Sequence, residues 1–215
     1  MKESEKRRMD KIVEILEKTY PDAHIALDFK TPFQLLVSVI LSAQCTDVRV
    51  NLVTPRLFER FPDAKNMAEA PVEELEDLVR STGFFRNKAK NIKAASRMIT
   101  DQFGGELPCT MKEMLKLPGV ARKTANIVLT QAFGVVEGIA VDTHVKRLSS
   151  RLGFSTEKTP EKIEKDLMEL IPFEKWGKIS YILIEHGRKV CNARRPMCGE
   201  CRVREYCPSA DESLG

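Results

Sequence analysis

The chain has 215 residues, with Lys+Arg 35 against Asp+Glu 31 and a formal net charge of +4. Hydrophobic residues make up 42% and charged residues 31%, which fits a globular chain of one domain or two small ones around a real core and disfavours a disordered one. The longest apolar runs, Leu35-Leu36-Val37 and Val39-Ile40-Leu41, are broken by Ser38 and Ser42, far short of the ~20 apolar residues a membrane span needs. Charged residues crowd the start (Lys2, Glu3, Glu5, Lys6, Arg7, Arg8) with no apolar core of an export signal, so a secreted protein is disfavoured too.

Hydrophobic periodicity is helical along almost the whole chain. Met9, Ile12, Val13 and Leu16 mark the face of a first helix. Thr31-Pro32 reads as an N-cap followed by proline at the first helical position, opening a segment to about Cys45 that is apolar on nearly all sides and hence a buried central helix. Val48, Leu52, Val53, Leu57 and Phe58 predict the next helix. Pro71 opens one carrying Leu75, Leu78 and Val79, stopped by Gly83. Ile92, Ala95, Met98, Ile99 and Phe103 follow, stopped by Gly104-Gly105. Thr124 to about Phe133 is helical and ends at Gly134. Asp142 is the expected N-cap of a helix with Val145, Leu148 and Leu152, closed by Gly153. Thr159-Pro160 caps a helix with Ile163, Leu167 and Leu170, and Ile179, Ile182 and Leu183 lie on the last long one. Ile139 to Val141 is the one strand-like stretch, too short to change an all-α class, and Asp211–Gly215 reads as a frayed tail.

The six cysteines are unevenly placed: Cys45 and Cys109 stand alone, whereas Cys191, Cys198, Cys201 and Cys207 crowd the C-terminal region. Clustering without an export signal points to metal ligation rather than a disulfide framework. Thiolates select zinc or an iron–sulfur cluster. A single C-x2-C pair with unequal flanking spacings suits a loop wrapped round a body larger than one ion, and zinc remains the alternative. Arg188, Lys189, Arg194, Arg195, Arg202 and Arg204 surround these cysteines. They either neutralise a negative cluster or meet nucleic-acid phosphates.

Leu117-Pro118-Gly119-Val120-Ala121-Arg122-Lys123-Thr124-Ala125 links two helices by a very tight turn. Gly119 supplies a positive φ, and the helix start behind it offers N–H groups to an anion such as a DNA phosphate. Lys123 sits in the first turn of that helix, where the macrodipole and the adjacent Arg122 both favour a neutral, nucleophilic amine. Its bland alternative is an ordinary surface cation. Asp142 is a helix cap that, if brought near Lys123, also serves as an acid beside a nucleophile. His144 and His186 read as packed or capping histidines.

With these residues assembled, the chain resembles the endonuclease III family of DNA glycosylases. The carriers are Leu41-Ser42-Ala43-Gln44-Cys45-Thr46-Asp47, the hairpin Leu117–Ala125, Val141-Asp142-Thr143-His144, His186-Gly187-Arg188 and the four-cysteine tail. The resemblance implies two helical domains with a DNA groove between them: a six-helix barrel over residues 24–136, and a second domain of residues 1–23 and 137–215. It implies a [4Fe–4S] cluster on Cys191, Cys198, Cys201 and Cys207. It makes Lys123 the nucleophile at C1′ and Asp142 the essential carboxylate. The hairpin (Leu117, Gly119, Ala121, Arg122, Thr124) becomes the helix–hairpin–helix that holds the DNA backbone. Gln44 fills the hole left by the flipped base, and Phe84 wedges into the opposite strand, with Phe85 the register alternative. Ala121 departs from the family's usual second glycine, and Cys45 stands where alanine is common and reads as a small buried hydrophobe. The implied activity is removal of oxidised pyrimidines, of the thymine glycol and 5-hydroxycytosine type, from duplex DNA, with strand cleavage 3′ to the abasic site through a Lys123 Schiff base. The implied partner is double-stranded DNA with damaged bases or abasic sites, met by a monomer in the cytoplasm at the nucleoid, with no membrane. Competing readings are a G·T thymine mismatch glycosylase, a non-catalytic DNA-binding module clipped by zinc, and an iron–sulfur electron-transfer protein.

Overall fold

The structure, a computed structural model, describes residues 3–210. Eleven α-helices succeed one another there: α1 (Glu3–Thr19), α2 (Pro32–Leu41), α3 (Asp47–Arg60), α4 (Ala64–Glu69), α5 (Val72–Val79), α6 (Phe85–Phe103), α7 (Met111–Met114), α8 (Arg122–Phe133), α9 (Thr143–Arg151), α10 (Pro160–Leu170) and α11 (Trp176–Lys189). No strand occurs among the described residues, so the class is all-α as the periodicity predicts. Ile139 and Val141 are buried, but as irregular chain: a lone β-branched run with no partner segment has no ladder to join. The tail Asp211–Gly215 lies outside the described residues. Among those described, no helix is long and apolar enough to cross a membrane.

The chain divides into two units, Ala26–Glu137 and Met1–Ile25 with Gly138–Gly215. In the first, Thr31 caps α2 by accepting the Gln34 N–H at 3.2 Å, with Pro32 at the helix start. Phe33 and the whole run from Leu35 to Leu41 are buried, so α2 is the central helix, packed on α3, α6 and α8. It ends at Leu41, short of Cys45. There Ser42 turns its hydroxyl onto Val39 O, and Cys45 N–H bonds Ser42 O, closing a turn instead of another helical turn. Cys45 is consequently half-buried rather than a core hydrophobe.

On α3 the predicted face holds only in part: Leu57 is buried and Val53 and Phe58 are half-buried, but the first turns are out of phase. Val48 is 72% and Leu52 66% exposed, while Val50, Thr54 and Leu57 form the buried stripe. The polar Thr54 hides that stripe from any count of apolar residue types. α5 turns its buried Leu75 and Val79 inward and runs through a 3-10 turn, Arg80–Thr82, into Gly83 at φ 70°. α6 buries Ala89, Ile92, Ala95 and Ile99 against α4 and α5, and Gly104 stops it in the left-handed region.

In the second unit, Met9, Ile12, Val13 and Leu16 of α1 are buried as their spacing predicts. They join Val145 and Leu148 of α9, Ile163 and Leu167 of α10, and Ile179, Ile182 and Leu183 of α11 in one core. Cys191, Cys201 and Cys207 pack against its edge.

Candidate DNA-repair site

The turn between α7 and α8 is as tight as the sequence implies. Gly119 has φ 79°, and a Cβ there would stand 2.9 Å from Asn91 Cβ of α6, so conformation and crowding both demand glycine. Leu117 and Val120 are buried and anchor the turn, tied by Val120 N–H to Leu117 O. Ala121 has φ −95° and ψ 170°, ordinary extended backbone, so alanine in place of a second glycine imposes no backbone strain. No side chain caps the start of α8, which leaves that end, with its partial positive charge, turned to solvent beside an exposed Lys123. Arg122 and Thr124 are half-buried on the same turn.

Gln44 and Phe84 share an uncommon backbone state. They are the non-glycine residues with positive φ among those described, at 53° and 46°. A left-handed conformation costs an L-residue roughly 1–2 kcal/mol and persists where surrounding structure enforces it, often at functional sites. Both side chains are exposed, Phe84 at 64%. Phe85 is half-buried, with the guanidinium carbons of Arg80 and Arg86 at 5.0 and 5.6 Å from its ring centroid. Of the two phenylalanines, Phe84 is therefore the one presented to solvent.

Asp142 opens α9, half-buried, with Oδ1 accepting the Val145 N–H at 2.8 Å. The second carboxylate oxygen is not used by that cap. His144 is in a packed place, its Nδ1 3.2 Å from Arg147. His186 is 2% exposed; Tyr20 Oη lies 3.0 Å from its Nδ1 and Cys201 Sγ 3.6 Å from its Nε2. Burial lowers its pKa to about 4, so it is a neutral core histidine.

Cys191, Cys198, Cys201 and Cys207 line one small pocket, walled also by Leu152, His186, Val190 and Met197. Among the described residues no three such side chains group as the site of a single ion. Burial raises the Cys201 and Cys207 thiols, and the neighbouring cysteines push the same way. Those two thiols resist ionisation unless positive charge joins them, and four sulfurs around one pocket match the donor chemistry of a thiolate-ligated metal centre. The donor set fits such a group. Around it stands an arginine frame that composition does not reveal. Arg151 donates to Cys191 Sγ (3.4 Å), Asn192 O (2.7 Å) and Ala193 O (2.8 Å). Arg147 donates to Gly187 O and Cys191 O, and Arg8 to Leu152 O and Tyr206 O. The arginines inside the loop are the ones the sequence displays. The ones that fasten it lie on α1 and α9, and the four-residue spacing of Arg147 and Arg151 on one helix face was the available signal.

Residues 37–173 match the model of the HhH-GPD superfamily base excision DNA repair proteins. The chain is 58% identical over 210 residues to endonuclease III of Synechocystis sp., covering 98% of this chain and 96% of that protein. It superposes on the structure of a trapped endonuclease III–DNA covalent intermediate with TM-score 0.94 and 44% identity, covering 98% of this chain and 99% of the other. A thermostable thymine-DNA glycosylase shares the fold at TM-score 0.84 and 22% identity. The all-helical frame, the glycine turn before Lys123 and a near full-length match place the chain in the endonuclease III family of HhH-GPD base excision repair proteins, the DNA glycosylase/AP lyases.

Proposed function

We propose that this chain carries out the family's two-step reaction on oxidised pyrimidines in duplex DNA, with Lys123 as nucleophile and Asp142 as the assisting carboxylate. The observation that carries the reading is an exposed amine in the first turn of α8, directly behind a turn that only glycine can make. The damaged nucleotide is first extruded from the stack. The Lys123 amine attacks C1′, the C1′–N bond to the base breaks, and the base leaves with the bonding pair and takes up a proton. Asp142 stabilises positive charge developing on the sugar. Loss of the amine's proton and ring opening give an imine between Nζ and C1′. The imine acidifies C2′–H; removal of that proton expels the 3′ phosphate and cuts the strand. Uncapped N–H groups at the start of α8 suit a backbone phosphate, held with Leu117, Gly119, Ala121, Arg122 and Thr124. Exposed Gln44 and Phe84 occupy and prop open the vacated stack.

Cys191, Cys198, Cys201 and Cys207 hold a [4Fe–4S] cluster, supported by the shared cavity and four sulfur donors. When bound, the cluster supplies a charged, rigid centre that couples metal binding to folding of the loop. Arg147 and Arg151 hold that loop on α9. The enzyme works on the nucleoid DNA of the cytoplasm.

The test is borohydride reduction on duplexes bearing thymine glycol, a G·T mismatch or an abasic site. Wild-type protein yields a covalent complex and strand scission with the first and third. Trapping by Lys123→Gln removes Lys123 from the mechanism, and excision confined to the G·T duplex replaces the substrate class.

A further inference from the structure

Lys88 is 5% exposed, a rare burial for a lysine, and the reaction above gives it no task. Its Nζ donates to Leu41 O at 2.8 Å and to Thr82 O at 2.7 Å. These acceptors sit at two special places. Leu41 is the last residue of α2 and leads through the 42–45 turn to Gln44; Thr82 ends the 3-10 turn and leads through Gly83 to Phe84. Lys88 N–H also bonds Phe84 O at 3.1 Å. One residue thus grips the chain on either side of Gly83 and ties that loop to the end of α2. The two loops it joins are the ones whose tips, Gln44 and Phe84, adopt left-handed backbone.

We propose that Lys88 is a positioning residue: its buried ammonium clamps the Gln44 and Phe84 loops into one unit, so that both side chains enter the DNA stack in fixed register. The inference rests on the assignment of Gln44 and Phe84 as the inserting residues. The physical case has three parts. Strained tips persist only where neighbours over-determine them. The carbonyls at helix ends carry partial negative charge and lack intrahelical partners, so a cation is the fitting cap for both. An ammonium on a four-carbon stem reaches two divergent carbonyls from one buried point, which a planar guanidinium does less well. Burial lowers the Lys88 pKa, and the two carbonyl bonds are what replace its lost water.

Substrate choice separates positioning from general destabilisation. An abasic site in a single strand has no stack to open and no hole to fill, so it bypasses both loops. Lys88→Met keeps the stem and removes the donors. Expected are a fall on the order of tenfold in cleavage of the duplex abasic site and in 2-aminopurine unstacking beside it, with single-strand cleavage within about twofold of wild type. In a Gln44→Ala/Phe84→Ala background, Lys88→Met adds less than about a further twofold, because its effect travels through those two residues. Equal losses on both substrates, or full additivity in the double background, overturn the proposal, as does an unchanged duplex rate. Should Lys88→Met fail to fold, Lys88→Gln, which keeps amide donors, carries the same cycle and is expected between wild type and background. Failure of wild-type protein to form a borohydride-trapped complex on either substrate sinks the proposed function instead, and is read before any variant.

Discussion

Asp142 has two tasks that substitution separates. Its Oδ1 accepts the Val145 N–H at 2.8 Å and caps α9, while the proposed reaction uses its negative charge. Asp142→Ala removes both. A lost cap costs about 1 kcal/mol, within a range of 0.5–2. In a chain of this size that lowers Tm by about 2–4 °C. Even a domain stable by only about 5 kcal/mol keeps about 4, a folded-to-unfolded ratio near a thousand to one, so unfolding explains none of a large rate loss. Asp142→Asn keeps an oxygen acceptor at the cap and removes the charge. Its expected Tm lies close to wild type, while single-turnover base release falls about 100-fold or more, as for Asp142→Ala. The assays are thermal unfolding followed by helical circular dichroism and single-turnover excision from a thymine glycol duplex. An Asn variant that excises at near wild-type rate refutes the use of the charge. An Asn variant as destabilised as the Ala variant refutes the account of the cap.

Gly119→Ala places a methyl 2.9 Å from Asn91 Cβ at φ 79°. The expected cost is about 2 kcal/mol or more in a denaturant titration, with weaker DNA binding; an unchanged midpoint removes the crowding argument. Phe84→Gly relieves left-handed strain and raises stability by about 0.5–1 kcal/mol while lowering excision from duplex DNA, a trade checked by urea melts beside lesion kinetics. Arg151→Lys loses the guanidinium fork that holds Cys191, Asn192 and Ala193; amide exchange in residues 191–193 speeds up while α9 stays protected. Cys198→Ser removes one sulfur donor and is expected to abolish the bound iron in elemental analysis and to lower stability, whereas intact iron content reassigns the ligand set.

The chain's own periodicity determined a great deal. The stripe on α1, the buried run of α2, the capped start of α9 and the glycine turn before Lys123 were legible because each is local: a few residues with a period, a cap or a stop fix an element whatever surrounds it. The clustered cysteines were legible for the same reason. Tertiary structure decided what depends on neighbours distant in sequence. It chose Val50 and Thr54 over Val48 and Leu52 to join Leu57 on the inner face of α3, because burial follows contact with α2 and α5 rather than residue type. It ended α2 at Leu41, ahead of the turn that carries Gln44, and it turned Phe84 outward while Arg80 and Arg86 packed over Phe85. It recruited Arg8, Arg147 and Arg151 to the cysteine loop and Lys88 to two helix ends. A cation's partner is a backbone carbonyl that any residue supplies, so no pattern of side chains announces it before the chain is folded.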